Sequence, residues 1–98
     1  MAERKIIWTA KAAFDLQRIV EYWVDKTGNS QYSAKLFKLV NKSVLTLKVF
    51  PNTGRVSDFD DVRVKPVLNY LIFYQTTPKE IRILRVWDSR RNPDKLKI

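Results

Sequence analysis

Two runs of β-branched and aromatic residues near the C-terminus constrain the fold of this chain more than any other feature. They cover residues 69–76 and 80–87, and a short polar connection that contains Pro78 separates them. Such residues favour extended backbone, and two such runs around a short connection are typical of an antiparallel hairpin. The second run leads directly to Arg90 and Arg91. The hairpin therefore predicts a pair of guanidinium groups at the end of a rigid strand.

Two helices are predicted upstream of the hairpin. The first covers roughly 9–27, because Thr9 can cap it, Gly28 can end it, and apolar residues recur between them at helical spacing. The second covers roughly 31–50, with Ser30 or Ser33 as its N-cap. Its apolar stripe comprises Leu36, Val40, Val44 and Leu47, and Pro51 and Gly54 close it.

Two further strands are predicted at residues 4–8 and 62–67. The element order is then β-α-α-β-β-β, in which a helical hairpin packs on a small, mainly antiparallel sheet. This is an α+β fold. A chain of 98 residues predicts one domain, residues 1–98.

The composition excludes several kinds of chemistry. The chain has no histidine and no cysteine, so imidazole general bases, thiolate nucleophiles and His- or Cys-ligated metals are excluded. The one acidic cluster, Ser57-Asp-Phe-Asp-Asp61, is interpreted as a solvated turn rather than a divalent-cation site. We therefore expect no metal and no cofactor.

The net charge of +9 is unevenly distributed. Residues 30–54 contain four lysines and no acid, and residues 67–98 contain seven bases and three acids. A field of this kind accelerates encounters with nucleic acid or with an acidic protein. Without disulfides or an apolar run long enough to span a bilayer, a cytoplasmic location without membrane contact is expected.

The aromatic residues divide into two groups. Packing between the helices and the sheet is the favoured role of Trp8, Tyr22, Trp23, Phe50 and Phe73. Trp87 differs, because it lies at the strand end with three arginines close in sequence. Contact with a nucleobase or with a partner protein is therefore the hypothesis for the set Arg85, Trp87, Arg90 and Arg91. The alternative is that these arginines only solvate the strand end.

Four segments, in order, resemble the RelE/ParE family of bacterial type II toxins over essentially the full chain. They are Trp8–Trp23, Pro51-Asn-Thr-Gly-Arg55, Tyr70–Tyr74 and Ile83–Arg91, and the last two are most similar to ParE-like members. The resemblance implies the family fold, a cognate antitoxin as partner, and contact with operator DNA only through that antitoxin.

The resemblance implies two different targets. ParE-like members poison DNA gyrase, whereas RelE-like members cleave mRNA on the ribosome with basic residues of the sheet. Leu71 stands where RelE-like members often have arginine, and no tyrosine or histidine follows Arg91, so the ParE-like alternative is favoured. Arg85, Trp87, Arg90 and Arg91 are then the expected target-binding residues. For a nuclease, the candidates are Arg55, Arg63, Lys65 and Arg90. A non-toxic binding protein with the same fold is the third alternative.

Overall fold

The computed structural model describes residues 4–98 and has the predicted α+β architecture. The elements in chain order are β1 (Lys5–Trp8), α1 (Ala10–Thr27), α2 (Gln31–Val49), β2 (Arg55–Val56), β3 (Arg63–Val67), β4 (Tyr70–Thr76) and β5 (Glu80–Asp88). The structure contains the predicted helices, the strands predicted at residues 4–8 and 62–67, and the predicted hairpin, all within a few residues of the expected bounds. The two-residue strand β2 was not predicted, because so short a strand leaves no alternation in the sequence.

The ends of α1 follow the predicted capping residues, whereas α2 begins differently. The Thr9 hydroxyl accepts a hydrogen bond from Ala12 N at 3.2 Å, and Gly28 ends α1 with φ of 75°. At α2, neither predicted serine caps the helix with its side chain. The Asn29 side chain accepts from Gln31 N, and the buried Ser33 hydroxyl instead donates to Val20 O at 2.8 Å. Ser33 therefore joins the two helices.

The sheet order is β1-β5-β4-β3-β2, with the predicted hairpin at its centre. β1 is parallel to β5, and the other neighbouring pairs are antiparallel. β1 ends at Trp8, which pairs with Ile83. In the part of the chain that the structure describes, no strand pairs with the outer edge of β5 beyond Ile83. Helix α1 contacts β5 instead, and this contact positions the site described below.

Apolar side chains cover both faces of the sheet. On one face, the helices pack against a cluster that includes Leu36, Leu47, Ile72 and Ile81. The opposite face, here called the far face, carries a second cluster of Val62, Val64, Phe73, Trp87 and Leu96. Leu96 follows a short 3₁₀ turn, Pro93–Lys95, so the C-terminal segment contributes to the cover of the far face.

The turn between α2 and β2 depends on Gly54. The buried Tyr74 hydroxyl donates to Pro51 O at 2.8 Å and accepts from Gly54 N at 2.9 Å. A Cβ atom on Gly54 would lie 2.7 Å from Tyr74 Cε1, which is closer than side chains normally approach. The Pro-x-x-Gly-Arg turn is therefore closed by a tyrosine from the centre of the sheet.

Two of the aromatic residues predicted to pack in the interior are exposed. Tyr22 is 50% and Phe50 is 58% exposed, whereas Trp8 and Trp23 are partly buried and Phe73 is buried. Trp23 Nε1 donates to the Tyr70 hydroxyl at 2.7 Å, which joins α1 to β4. Among residues 4–98, neither helix is long and apolar enough to cross a bilayer.

Candidate functional site

The end of β5 holds Arg90 in a fixed position. Arg90 Nε and Nη2 donate to the two carboxylate oxygens of Asp88 at 3.0 and 2.8 Å, and the Arg90 backbone N–H donates to the same group at 2.9 Å. These hydrogen bonds hold the pKa of Asp88 below its ordinary value. The Arg90 side chain remains 61% exposed. The predicted arginine is therefore preorganised at the surface, with its charge partly balanced.

Arg85 has a different environment, because α1 contributes a carboxylate to it. Arg85 Nε and Nη2 donate to Asp15 at 2.7 and 3.0 Å, and the same carboxylate accepts from Val86 N at 3.0 Å. Arg85 Nη1 donates to Lys97 O at 2.7 Å. This residue links α1, β5 and the C-terminal segment. Its donor groups are engaged inside the protein, and direct target contact by Arg85 stays a prediction.

Trp87 lies on the far face and is only 3% exposed, because the C-terminal segment helps to cover it. The guanidinium of Arg91 lies 4.1 Å from the centre of the indole ring, and that of Arg85 lies 5.3 Å away. Among the described residues 4–98, the indole N–H has no hydrogen-bond partner. The Trp87 ring therefore packs against the guanidinium groups of Arg91 and Arg85. In this arrangement, its small exposed area does not offer a platform for a base.

A cleft of about 490 Å³ lies between α1 and the end of β5. We call it the strand-end cleft. Three of the predicted arginines contribute to it, Arg85, Arg90 and Arg91. From α1 come Phe14, Asp15, Arg18, Ile19 and Tyr22, which sequence reasoning did not assign to a site. Their contribution depends on how α1 packs against the outer edge of β5, and the periodicity of a single helix does not contain that information.

The four nuclease candidates do not form one site. Arg63 pairs with Tyr74 and Lys65 with Ile72, so both lie on the helix-covered side of the sheet. Arg63 Nη1 donates to Gly54 O at 2.8 Å. Arg55 lies nearby on the edge strand β2. Arg90 is held by Asp88 beside Tyr70, about 13 Å along β4 from Tyr74.

A second surface lies on the outer side of α2. Phe37, Leu45 and Val49 are 45%, 55% and 65% exposed and recur at helical spacing, with Lys38 and Lys42 beside them. We call these five residues the α2 surface. A neighbouring apolar groove of about 550 Å³ runs between the helices and includes Phe37, Trp8 and Leu16. Exposed apolar residues flanked by cations are typical of a protein-binding helix.

Residues 4–98 contain no group of His, Cys, Asp or Glu side chains placed to hold a metal ion. The structure instead combines a helical hairpin, a five-stranded sheet and cationic side chains at one strand end. A solved structure of a chromosomal ParDE toxin–antitoxin system from P. aeruginosa matches this arrangement with a TM-score of 0.77 and 27% identity, which places the fold in the class of small α+β toxins of the RelE/ParE type. The match covers 88% of this chain and 96% of that one.

The family assignment follows from the sequence comparison. Residues 6–93 match the sequence model of the ParE toxin of the type II toxin–antitoxin system parDE. The chain belongs to this family. No curated protein sequence gives a match.

Proposed function

We propose that this chain is the growth-inhibiting component of a toxin–antitoxin module, that it poisons DNA gyrase, and that a cognate antitoxin neutralises it. The observation that carries the proposal is the ParE family match over residues 6–93. Arg90 and Arg91 at the strand-end cleft are the residues that we assign to the target. Guanidinium groups held by neighbouring side chains lose less freedom on binding than mobile lysines do, which favours such a role.

The arrangement of basic residues supports gyrase over the ribosome as the target. Cleavage of RNA without histidine is favoured where several cations converge on one scissile phosphate. Here Arg63 is engaged with Gly54 O, and Arg90 lies at a distant point of the sheet. Leu71 occupies the position where RelE-like members often carry arginine, and it packs with the apolar cluster of the far face.

The α2 surface is the part of the molecule that we assign to the antitoxin. Its apolar residues suit the apolar face of an amphipathic segment, and Lys38 and Lys42 suit acidic residues at the edge of that segment. Long-range attraction should accelerate association at low salt, whereas the apolar contacts should keep the complex together. Operator DNA is then bound through the antitoxin and not by this chain.

Induced expression in a bacterial host tests the function and separates the two targets. The proposal expects arrested growth, chromosomal breaks that depend on gyrase, and intact transcripts. Ribosome-dependent cleavage would instead give transcripts cut within codons and no DNA damage. Normal growth with full expression would favour a non-toxic binding protein of the same fold.

The antitoxin assignment has its own test. The reading frame beside the gene, if it encodes a short acidic protein, should restore growth on co-expression. Leu45→Asp should weaken that rescue, because it places a charge at the centre of the α2 surface. Leu68→Asp is the matched control, since Leu68 is a similarly exposed leucine, 60% exposed, on another part of the molecule. Equal rescue of both variants would contradict the assignment.

A further inference from the structure

The strand-end cleft contains more cationic groups than its own carboxylates balance. Its lining includes four arginines and two aspartates. Asp15 binds Arg85 with both oxygens, and Asp88 binds Arg90 in the same way. Arg18 and Arg91 remain, and within residues 4–98 neither has a carboxylate partner. The cleft therefore presents two guanidinium groups that no ion pair within residues 4–98 engages.

Both of these guanidinium groups lie close to aromatic rings. Arg91 lies 4.1 Å from the centre of the Trp87 ring, and Arg18 lies 5.7 Å from the centre of the Phe14 ring. A guanidinium that stacks on a ring keeps the N–H groups of its edge available for a planar, two-point contact with an anion. These cation–π contacts leave the hydrogen-bonding groups of the two cations available to a ligand.

Two exposed aromatic side chains lie beside the two cations in the cleft lining. Phe14 is 58% and Tyr22 is 50% exposed, and both line the cleft. Exposed aromatic rings beside free cations suit a ligand that carries anionic groups on either side of an apolar group. The volume of about 490 Å³ is that of a site for a few side chains.

We propose that the strand-end cleft binds an acidic peptide segment of a protein partner. Arg18 and Arg91 each receive a carboxylate, and an apolar side chain of the segment packs on Phe14 and Tyr22. Arg85, with its donor groups engaged by Asp15 and Lys97 O, maintains the shape of the cleft, and Arg90, oriented by Asp88 and still 61% exposed, borders the bound segment. This inference rests on the proposed function, in that it gives the chemistry by which the assigned target site meets a protein.

A nucleic acid strand fits the same cleft less well. A polyanionic backbone needs a continuous track of cations. Along α1, the bases Lys11, Arg18 and Lys26 are interspersed with the acids Asp15, Glu21 and Asp25. Beyond the cleft, Glu21 and Asp25 would repel a phosphate backbone. Two isolated carboxylates avoid that repulsion, so a short acidic peptide is the occupant that we assign.

The test is a titration of the purified protein, followed by NMR, with the acetylated hexapeptide Asp-Glu-Leu-Phe-Asp-Glu. We expect shifts at the Arg18 and Arg91 side chains and at Tyr22. The amide counterpart, Asn-Gln-Leu-Phe-Asn-Gln, should bind the unaltered protein at least about tenfold more weakly, because each charge-assisted contact is lost. Equal binding of the two peptides, or shifts confined to the α2 surface, would overturn the inference.

Variants of the protein supply the second arm of the test. R18Q/R91Q should lose about tenfold or more in affinity for the acidic peptide. R55Q/R82Q removes the same net charge from two exposed arginines outside the cleft and should stay within about twofold of the unaltered protein. An equal loss in both double variants would show general charge attraction and refute the site. An eight-nucleotide oligothymidylate that binds the cleft more tightly than the peptide would also refute it.

The outcome is separable from that of the proposed function. Specific binding of the peptide by a protein that leaves growth and gyrase unaffected would contradict the gyrase proposal and retain the cleft assignment. Toxicity without peptide binding would contradict the cleft assignment and retain the gyrase proposal.

Discussion

The Asp15 carboxylate of α1 accepts two hydrogen bonds from the Arg85 guanidinium of β5, at 2.7 and 3.0 Å, across 70 residues of sequence. The same carboxylate accepts the Val86 backbone N–H at 3.0 Å, on the part of β5 that β1 does not reach. Asp15 therefore serves as a side-chain substitute for a missing strand partner. It fixes one wall of the strand-end cleft.

Replacing Asp15 should destabilise the protein. The side chains of Asp15 and Arg85 are only 11% and 15% exposed, so Asp15→Ala leaves a poorly hydrated guanidinium and an unpaired backbone N–H. We expect a loss of about 2–4 kcal/mol in the free energy of unfolding, measured by urea denaturation. Asp25→Ala removes an exposed acid from the same helix and should change the stability by less than about 0.5 kcal/mol. Similar losses in the two variants would contradict this role of Asp15.

Removal of the Tyr74 hydroxyl should measurably lower the free energy of unfolding. Tyr74→Phe leaves Pro51 O and Gly54 N without their partner in a buried turn, and we expect a cost of about 1–3 kcal/mol. Tyr32→Phe is the matched control, because Tyr32 contacts Trp23 through its ring and should tolerate loss of the hydroxyl within about 0.5 kcal/mol. If the urea midpoints of the two variants coincide, the turn does not depend on this hydroxyl.

The titration of Asp88 should report its pairing with Arg90. Hydrogen bonds from Arg90 hold the pKa of Asp88 below its ordinary value of 3.8. A lowered pKa in the folded state means that the pair contributes stability above pH 3.8, and that this contribution is lost as the pH falls through the lower value. Carboxyl-carbon NMR should show the pKa of Asp88 rising in Arg90→Ala. In the control Arg55→Ala it should not move, and an unchanged pKa in both variants would contradict the pairing.

Local signals explain why so much of the fold was predictable. The caps at Thr9 and Gly28, the apolar stripe of α2 and the β-branched runs of the hairpin each lie within one element, where spacing determines structure. The order of the elements along the chain then leaves few ways to arrange the helices and strands in space. The two-residue strand β2 has no such signal, and it forms because the turn closed by Tyr74 places it beside β3.

The site was predictable only in part. Arg90 and Arg91 follow a recognisable strand and lie at its end as expected. The contribution of Asp15 and Arg18 depends on the packing of α1 against a strand about 70 residues away, which the sequence does not encode locally. Trp87 is buried because Leu96 of the C-terminal segment packs in the same far-face cluster, and this contact is equally non-local.

Replacement of both terminal arginines should separate toxicity from folding. Arg90 and Arg91 are exposed, so Arg90→Ala/Arg91→Ala should remain folded, with a urea midpoint only slightly below that of the unaltered protein, while abolishing growth inhibition. The control R55A/R82A loses the same charge and should remain toxic. Antitoxin affinity should be measured beside growth, since loss of both activities would assign the arginines to a surface shared by target and antitoxin. A folded, fully toxic double variant would contradict the target assignment.

A cleavage assay with purified DNA gyrase, supercoiled plasmid and this protein at increasing concentration tests gyrase as the target. Linear DNA released by detergent and protease measures trapped cleavage complexes. We expect linear DNA to accumulate with the unaltered protein, to fall at least about tenfold with Arg90→Ala/Arg91→Ala, and to persist with R55A/R82A. Absence of linear DNA at every concentration, with a protein that arrests growth in cells, would contradict gyrase as the target.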